Sequence, residues 1–210
     1  MRPPSDDYLA RVATVESLGG FVKQNPLECA KMFRILKQNP PRTFVEIGSH
    51  YGGTLYVFAG ACKIGANIVC IDDGKRAKGR HCLRRVVRTL TEEGYKVTWI
   101  RGSSHDDDTV RAATDLCGIR SVDAMFVDGD HSELGVLDDY RDYRGLIKAG
   151  GLMAFHDINT RGTGCRVYKA WPKIKRGQTS YEIDGGTCTH LGSLQVVKPR
   201  KLGIGVIVAP

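Results

Sequence analysis

Four acids, two serines and two histidines stand in or directly after short apolar, β-branched runs of this chain: Glu46, Asp72, Ser103 with Ser104, Asp128 with His131, and His156 with Asp157. A carboxylate only accepts hydrogen bonds, so Asp72 suits the paired hydroxyls of a ribose; capping a helix is its other ordinary use. Ser103 or Ser104 can meet an adenine edge, or cap the acidic helix that follows. His131, three residues beyond Asp128 and with a reference pKa near neutrality, can take a proton from a reacting hydroxyl. The same residues also have plain structural uses. Asp128 can cap the next helix, Asp157 can brace a turn, and His156 beside Phe155 can be a packed histidine.

The glycines narrow the chemistry. Glu46-x-Gly48-x-x-x-Gly52 closes the apolar run Thr43-Phe44-Val45-Glu46-Ile47 and precedes a helical pattern, which makes a strand, a glycine loop and a helix start. Glycines let backbone amides approach a ligand, and the first turn of a helix offers unpaired N–H donors, so the loop can hold a polar, nucleotide-like ligand. The spacing is not that of dinucleotide binders, and no Gly-Lys-Ser/Thr follows to cradle phosphate. An acid at the strand end suits a cationic ligand better than a pyrophosphate.

These residues need a scaffold that brings strand ends together, and the pattern predicts one. Residues 1–42 read as a helical preface closed by Asn39-Pro40-Pro41, and residues 43–210 as the domain proper. Helices are expected over 54–63, 81–93, 106–117 and 132–148, alternating with strands over 43–47, 66–72, 96–100, 122–128 and 151–155. A helix over 164–175 with Pro172 inside it, and strands at 181–183 and 203–208, complete the pattern. Regular alternation means right-handed crossovers and a parallel sheet covered on both faces, with ligands at the carboxyl ends of the strands. The expected architecture is therefore a doubly wound α/β fold. The basic loop 161–164 lies beside the expected site, as a lid or as a connector.

The glycine loop resembles the first motif of the class I S-adenosylmethionine-dependent methyltransferases. Phe126-Val127-Asp128-Gly129-Asp130-His131-Ser132 and Leu152-Met153-Ala154-Phe155-His156-Asp157-Ile158-Asn159 resemble the family that includes cephalosporin-hydroxylase-like and sugar O-methyltransferase-like proteins. The resemblance implies a seven-stranded, mostly parallel, Rossmann-like sheet and an O-methyltransferase acting on a small-molecule or sugar hydroxyl. Glu46 would lie near the methionine ammonium of S-adenosylmethionine, with Gly48, Ser49 and Gly52 passing under the cofactor. Asp72 would hold the ribose, Ser103 and Ser104 the adenine, and Asp128 would border both cofactor and acceptor. Related O-methyltransferases bind a divalent cation at positions that here are Asp128, His156 and Asp157. Hard oxygens suit Mg²⁺, and a histidine would also admit Mn²⁺ or Zn²⁺. Asp128 and His131 are the catalytic candidates. Methyltransferases of exocyclic amines commonly carry Asn/Asp-Pro-Pro and an aromatic where this chain has Asp128-Gly129-Asp130-His131, which favours oxygen as the acceptor.

Composition bounds the rest. With 210 residues, 41% of them hydrophobic, the chain can build one domain with a substantial core. No apolar run spans a membrane and no apolar leader opens the chain; seven cysteines without tight pairs fit a reduced, cytoplasmic setting. The net charge of +8, concentrated at 75–88 and 161–176, leaves nucleic acid open as a partner, and with it an RNA methyltransferase, although a solvated helix face is the commoner use of such runs. A non-catalytic cofactor-binding module and a homo-oligomer are also compatible with the sequence.

Overall fold

The structure is a computed structural model that describes residues 4–162, 164–185, 190–191, 194–195 and 202–210. Its strands are β1 (Thr43–Ile47), β2 (Asn67–Ile71), β3 (Lys96–Ile100), β4 (Val122–Val127), β5 (Ile147–His156), β6 (Thr179–Ile183), the short pair β7 (His190–Leu191) and β8 (Leu194–Gln195), and β9 (Ile204–Val208). Its helices are α1 (Asp6–Ser17), α2 (Pro26–Gln38), α3 (Gly53–Ala59), α4 (Ala77–Glu92), α5 (Asp107–Cys117), α6 (Glu133–Tyr143) and α7 (Val167–Ile174). Seven strands form one sheet in the order β3-β2-β1-β4-β5-β9-β6. Neighbours from β3 to β5 run parallel, and β9 lies antiparallel between β5 and β6. The expected doubly wound sheet is present, with β9 and β6 as its terminal hairpin.

Strand residues alternate between two buried faces. Phe44, Ile68 and Phe126 point into a core shared with α1 to α4, whereas Val45, Val69, Met125 and Phe155 point into a second core with α6 and α7. Phe58 of α3 packs edge-on between Phe44 at 6.1 Å and Phe126 at 5.1 Å, locking α3 over the centre of the sheet. The preface belongs to this core, because Tyr8, Val12 and Val15 of α1 and Met32, Phe33 and Leu36 of α2 are buried in it. Each of these side chains contributes about 1.5–3 kcal/mol by leaving water.

Local chemistry sets the element ends. Ser5 caps α1 by accepting from the Tyr8 N–H at 3.3 Å, and Asn25 caps α2 by accepting from the Leu27 N–H at 2.9 Å, with Pro26 in the first turn. The Asp123 carboxylate accepts from the amides of Arg42 and Thr43 at 2.8 Å each, fixing the start of β1 against β4. The helix expected over 132–148 is shorter than the pattern suggested. It ends at Tyr143 in a 3₁₀ turn, Arg144–Leu146, because Ile147 pairs with Val122 and draws the chain into β5. Pro172 stays inside α7, which runs on to Ile174. Of the basic loop 161–164, Thr163 lies outside the described residues.

β1 and β4 are neighbours in space although two strands separate them in sequence, so the loops that follow them leave for opposite faces. A crevice opens at such a switch point.

Candidate active site

Extra pairing at the strand ends fixes the loops that line this crevice. The amides of Gly48, Asp72 and Asp128 donate to Ile71, Ile100 and Ile47 at 2.8, 3.3 and 2.9 Å, each one residue beyond its strand. Gly48 has φ +86°, and a Cβ there would overlap the carbonyl of Asp128. Only glycine lets the two loops touch. The result is a cleft of about 690 Å³ bordered by Gly48–Tyr51, Asp72–Asp73, Gly102–His105, Asp128–His131 and His156–Asp157. Every predicted strand-end loop contributes to it.

At the left-handed residue His50 (φ +48°) the backbone N–H donates to Oδ2 of Asp72 at 2.7 Å, while the Gly74 N–H donates to Oδ1 at 2.8 Å. Asp72 thus braces its own turn and still borders the cleft, since each carboxylate oxygen keeps a second lone pair. Ser49 is buried against the cleft, its side chain interacting with the buried Glu46 carboxyl. Ser103 Oγ accepts from the His105 N–H at 3.3 Å, and Tyr143 Oη donates to the Ser104 carbonyl at 2.9 Å. Glu46 and Gly52 are the two predicted site residues that do not line the cleft. Glu46 shares the sheet face of Phe44, and burial pushes its carboxyl well above the ordinary range. Gly52, at φ +77°, closes the α3–α4 contact, where a Cβ would stand 3.0 Å from Val86.

At the other end of the cleft lies a network of carboxylates and imidazoles. Asp128 Oδ1 meets His156 Nδ1 at 3.0 Å and His131 Nε2 at 3.3 Å, and Asp157 Oδ2 meets His131 Nε2 at 3.0 Å. Asp157 is held at φ +62°, and its Oδ1 accepts from Thr160 Oγ1 at 2.6 Å. Burial opposes the charge on Asp128, but His156 and His131 outweigh it and hold the carboxyl below the usual carboxylate range. Hydrogen bonds to Asp128 and Asp157, working against burial, raise His131 to about 11, so its ring is cationic at neutral pH. Ligand atoms of Asp128, His131 and Asp157 lie within 4.8 Å of one another, a spacing a metal ion can bridge. His156, expected as a ligand, lines the same cleft with Nδ1 3.7 Å from Asp157 Oδ2; its Nε2 is buried without a partner among the described residues.

Part of the site comes from the segment between α1 and α2, which the strand-end logic did not reach. Gln24 donates from Nε2 to Asp128 Oδ2 at 2.6 Å and accepts from Thr54 Oγ1 at 2.9 Å. Phe21 stacks on Tyr51 with ring centroids 4.6 Å apart, and Lys23 Nζ lies 5.4 Å from the Phe21 ring. With His50 and Arg76 these residues make an aromatic and cationic wall. The sequence does carry a signal here: Gly19-Gly20 and Pro26 bracket an aromatic-polar run that is too short for a helix.

Comparisons with known proteins agree with this geometry. A family model described as "Methyltransferase domain" matches residues 45–158, from β1 to just past β5. An uncharacterized protein of Acanthamoeba polyphaga mimivirus is 30% identical over 132 residues, covering 63% of this chain and 58% of the viral protein. An uncharacterized protein of Sinorhizobium fredii is 25% identical over 142 residues, covering 64% of this chain and 15% of that one. The matches therefore span little more than half of the first relative and a small part of the second. Among solved structures, the O-methyltransferase TomG of Streptomyces achromogenes, in complex with SAM, aligns with a TM-score of 0.66 at 14% identity over 98% of this chain and 91% of its own. The O-methyltransferase of Bacillus cereus, in complex with SAH, aligns at 0.62 and 14% over 98% and 92%. At these identities the likeness is one of fold.

Proposed function

Because the chain belongs to this methyltransferase domain family, we propose that it transfers the methyl group of S-adenosylmethionine to a hydroxyl oxygen of a small-molecule or sugar acceptor, with a divalent cation assisting. The observation that carries the reading is the convergence of five strand-end loops on one cleft of about 690 Å³, a volume suited to a cofactor and part of an acceptor.

The residues present fit the cofactor. The loop from Gly48 to Tyr51 presents backbone to the cleft at a point where a Cβ on Gly48 would overlap Asp128, and Asp72 keeps acceptor capacity for ribose hydroxyls. Bound there, S-adenosylmethionine supplies an electrophilic methyl on a sulfonium, and the cleft supplies proximity to an in-line oxygen. Asp128, His131 and Asp157 fit a hard cation by donor type and spacing; such an ion lowers the pKa of an acceptor hydroxyl.

The protein's own groups do the remaining work. Gln24 and His156 hold Asp128 from two sides and fix the direction of its oxygens. While no ion occupies the cluster, Asp128 and Asp157 make His131 Nε2 a strong base that rests in its protonated form, so it accepts the hydroxyl proton only after its own has left; as a ligand His131 would have to be neutral and would no longer serve as that base. Phe21 and Tyr51 exclude water from one side of the cleft.

The test is incubation with labelled cofactor and a panel of hydroxylated acceptors, with and without chelator, on the unaltered protein and Asp128→Asn. Methyl ethers formed by the first and not the second are expected. Transfer only to nitrogen would refute the oxygen acceptor, and turnover indifferent to chelator would remove the cation.

A further inference from the structure

Three side chains on one wall of the cleft, Lys23, His50 and Arg76, keep N–H donors that meet no acceptor among the described residues. Lys23 Nζ lies 5.4 Å from the centre of the Phe21 ring and 5.9 Å from that of Tyr51, and it makes no hydrogen bond or ion pair among the described residues. Two aromatic faces hold the ammonium in place without neutralising it. The Arg76 guanidinium meets only His50 Nε2 among those residues, at 3.4 Å. A guanidinium only donates, so Nε2 accepts and the N–H of a neutral His50 sits on Nδ1.

The carboxylates around this wall are already engaged. Asp72 accepts from the amides of His50 and Gly74, and Asp73 pairs with Lys75 at 2.8 Å. Asp128, whose field reaches Lys23, is held by Gln24, His131 and His156. Burial lowers the Lys23 pKa and the charge of Arg76 lowers it further, against the pull of Asp128. Burial, Lys23 and Arg76 act on His50 in the same direction. Cations crowded on a partly buried wall are costly until an anion joins them. The cofactor is poorly suited to be that anion, because S-adenosylmethionine sets one carboxylate against an ammonium and a sulfonium, a net charge of about +1. The methyl acceptor is the ligand left to bring negative charge. Lys23 also precedes Gln24, which holds Asp128 at 2.6 Å, so one segment carries both the unpaired ammonium and the support of the acid placed next to the acceptor.

We propose that Lys23, Arg76 and His50 form an oxyanion subsite for the methyl acceptor, which is therefore a hydroxyl compound bearing a phosphate or a carboxylate. The inference rests on the cofactor reading above and narrows its acceptor from hydroxyl compounds in general to anionic ones. Lys23 supplies a compact charge and Arg76 a planar fork, a pair that suits either oxyanion, and His50 Nδ1–H adds a neutral donor.

Calorimetry tests this by titrating S-adenosylhomocysteine into the protein, then phenyl phosphate, benzoate and phenol into the saturated complex, for the unaltered chain, Lys23→Gln and Arg76→Gln. At least one of the two anions should bind about 10-fold or more tightly than phenol, and the better of them names the acceptor's charged group. Each variant should lose about 10-fold in affinity for that anion, while its affinity for S-adenosylhomocysteine stays within about 3-fold of the unaltered protein. Arg76 is exposed, so Arg76→Gln carries the test even if Lys23→Gln does not fold. Anions bound no better than phenol, or bound equally by the unaltered protein and both variants, would overturn the proposal and leave the cofactor reading intact. Anions that compete with S-adenosylhomocysteine, together with a 10-fold loss of its affinity in the variants, would assign the cations to the cofactor's carboxylate and equally overturn it. Failure of S-adenosylhomocysteine to bind the unaltered protein would overturn the cofactor reading as well.

Discussion

Gln24 carries more consequence than its neutral amide suggests. Its Nε2 donates to Asp128 at 2.6 Å, and its Oε1 is fixed by Thr54, so the amide cannot rotate without losing one bond. Gln24→Leu should leave the fold intact while lowering methyl transfer and cation affinity about 10- to 100-fold, the usual loss when a supporting partner of a ligand is removed; steady-state kinetics across a Mg²⁺ series would measure it. Asp139 lends itself to a titration. Burial, more than any neighbour, raises its carboxyl to about 6 in the folded protein, above its value in the unfolded chain. The folded state therefore binds the proton more tightly, and the stability this confers at low pH is lost as pH rises from about 4 to about 6. Asp139→Asn removes that loss, so its melting temperature relative to the unaltered protein should climb across that window and then level off. A constant difference would contradict the assignment. Much of this chemistry was legible in the sequence, since Asp72, Asp128, His131, His156 and Asp157 all sit where strand periodicity ends. Gln24 was not, because nothing in a local pattern says which distant carboxylate an amide will reach. Nor was the exchange of His156 for His131 in the metal-competent cluster, which depends on rotamers and on the left-handed turn at Asp157.

At the scale of elements, the glycine loop and the helix caps matter most. Gly48→Ala adds a methyl where the Asp128 carbonyl already stands and forces φ +86° on a residue that resists it. A destabilisation of at least about 2–3 kcal/mol is expected by denaturant titration, with ligand binding lost in parallel. Ser132→Ala should cost about 1 kcal/mol, because Ser132 Oγ accepts from the Gly135 N–H at 3.0 Å and caps the helix that carries Asp139. The alternation of strands and helices was readable because the central parallel strands β1, β2 and β4 are mostly buried on both sides, while α4 and α5 bury only one. The end of α6 was not, since the apolar spacing through Leu146 and Ile147 fits a helix until Val122 competes for Ile147 as a strand partner.

For the whole molecule, two expectations meet. Residues before β1 read as a preface in the sequence, yet α1 and α2 bury Tyr8, Val12, Val15, Met32 and Phe33 against the sheet. Deleting residues 1–25 removes apolar burial comparable with the net stability of a domain, together with Gln24, and should yield an unfolded or aggregating product by circular dichroism. The charge of +8 is the other global property. If the basic groups serve RNA, affinity should fall steeply with salt; with a small acceptor, activity should respond only weakly between 50 and 200 mM salt, roughly the range over which phosphate contacts are lost. No helix among the described residues is long and apolar enough to cross a membrane.

The position of β9 has a consequence for how the molecule is made. Because β9 slots between β5 and β6, β5 remains an open edge and β6 has no partner until residues 204–208 emerge from the ribosome. Bare edges pair with other chains, so premature termination upstream of Ile204 should produce aggregates instead of a smaller enzyme, and the nascent chain depends on shielding until that strand is released.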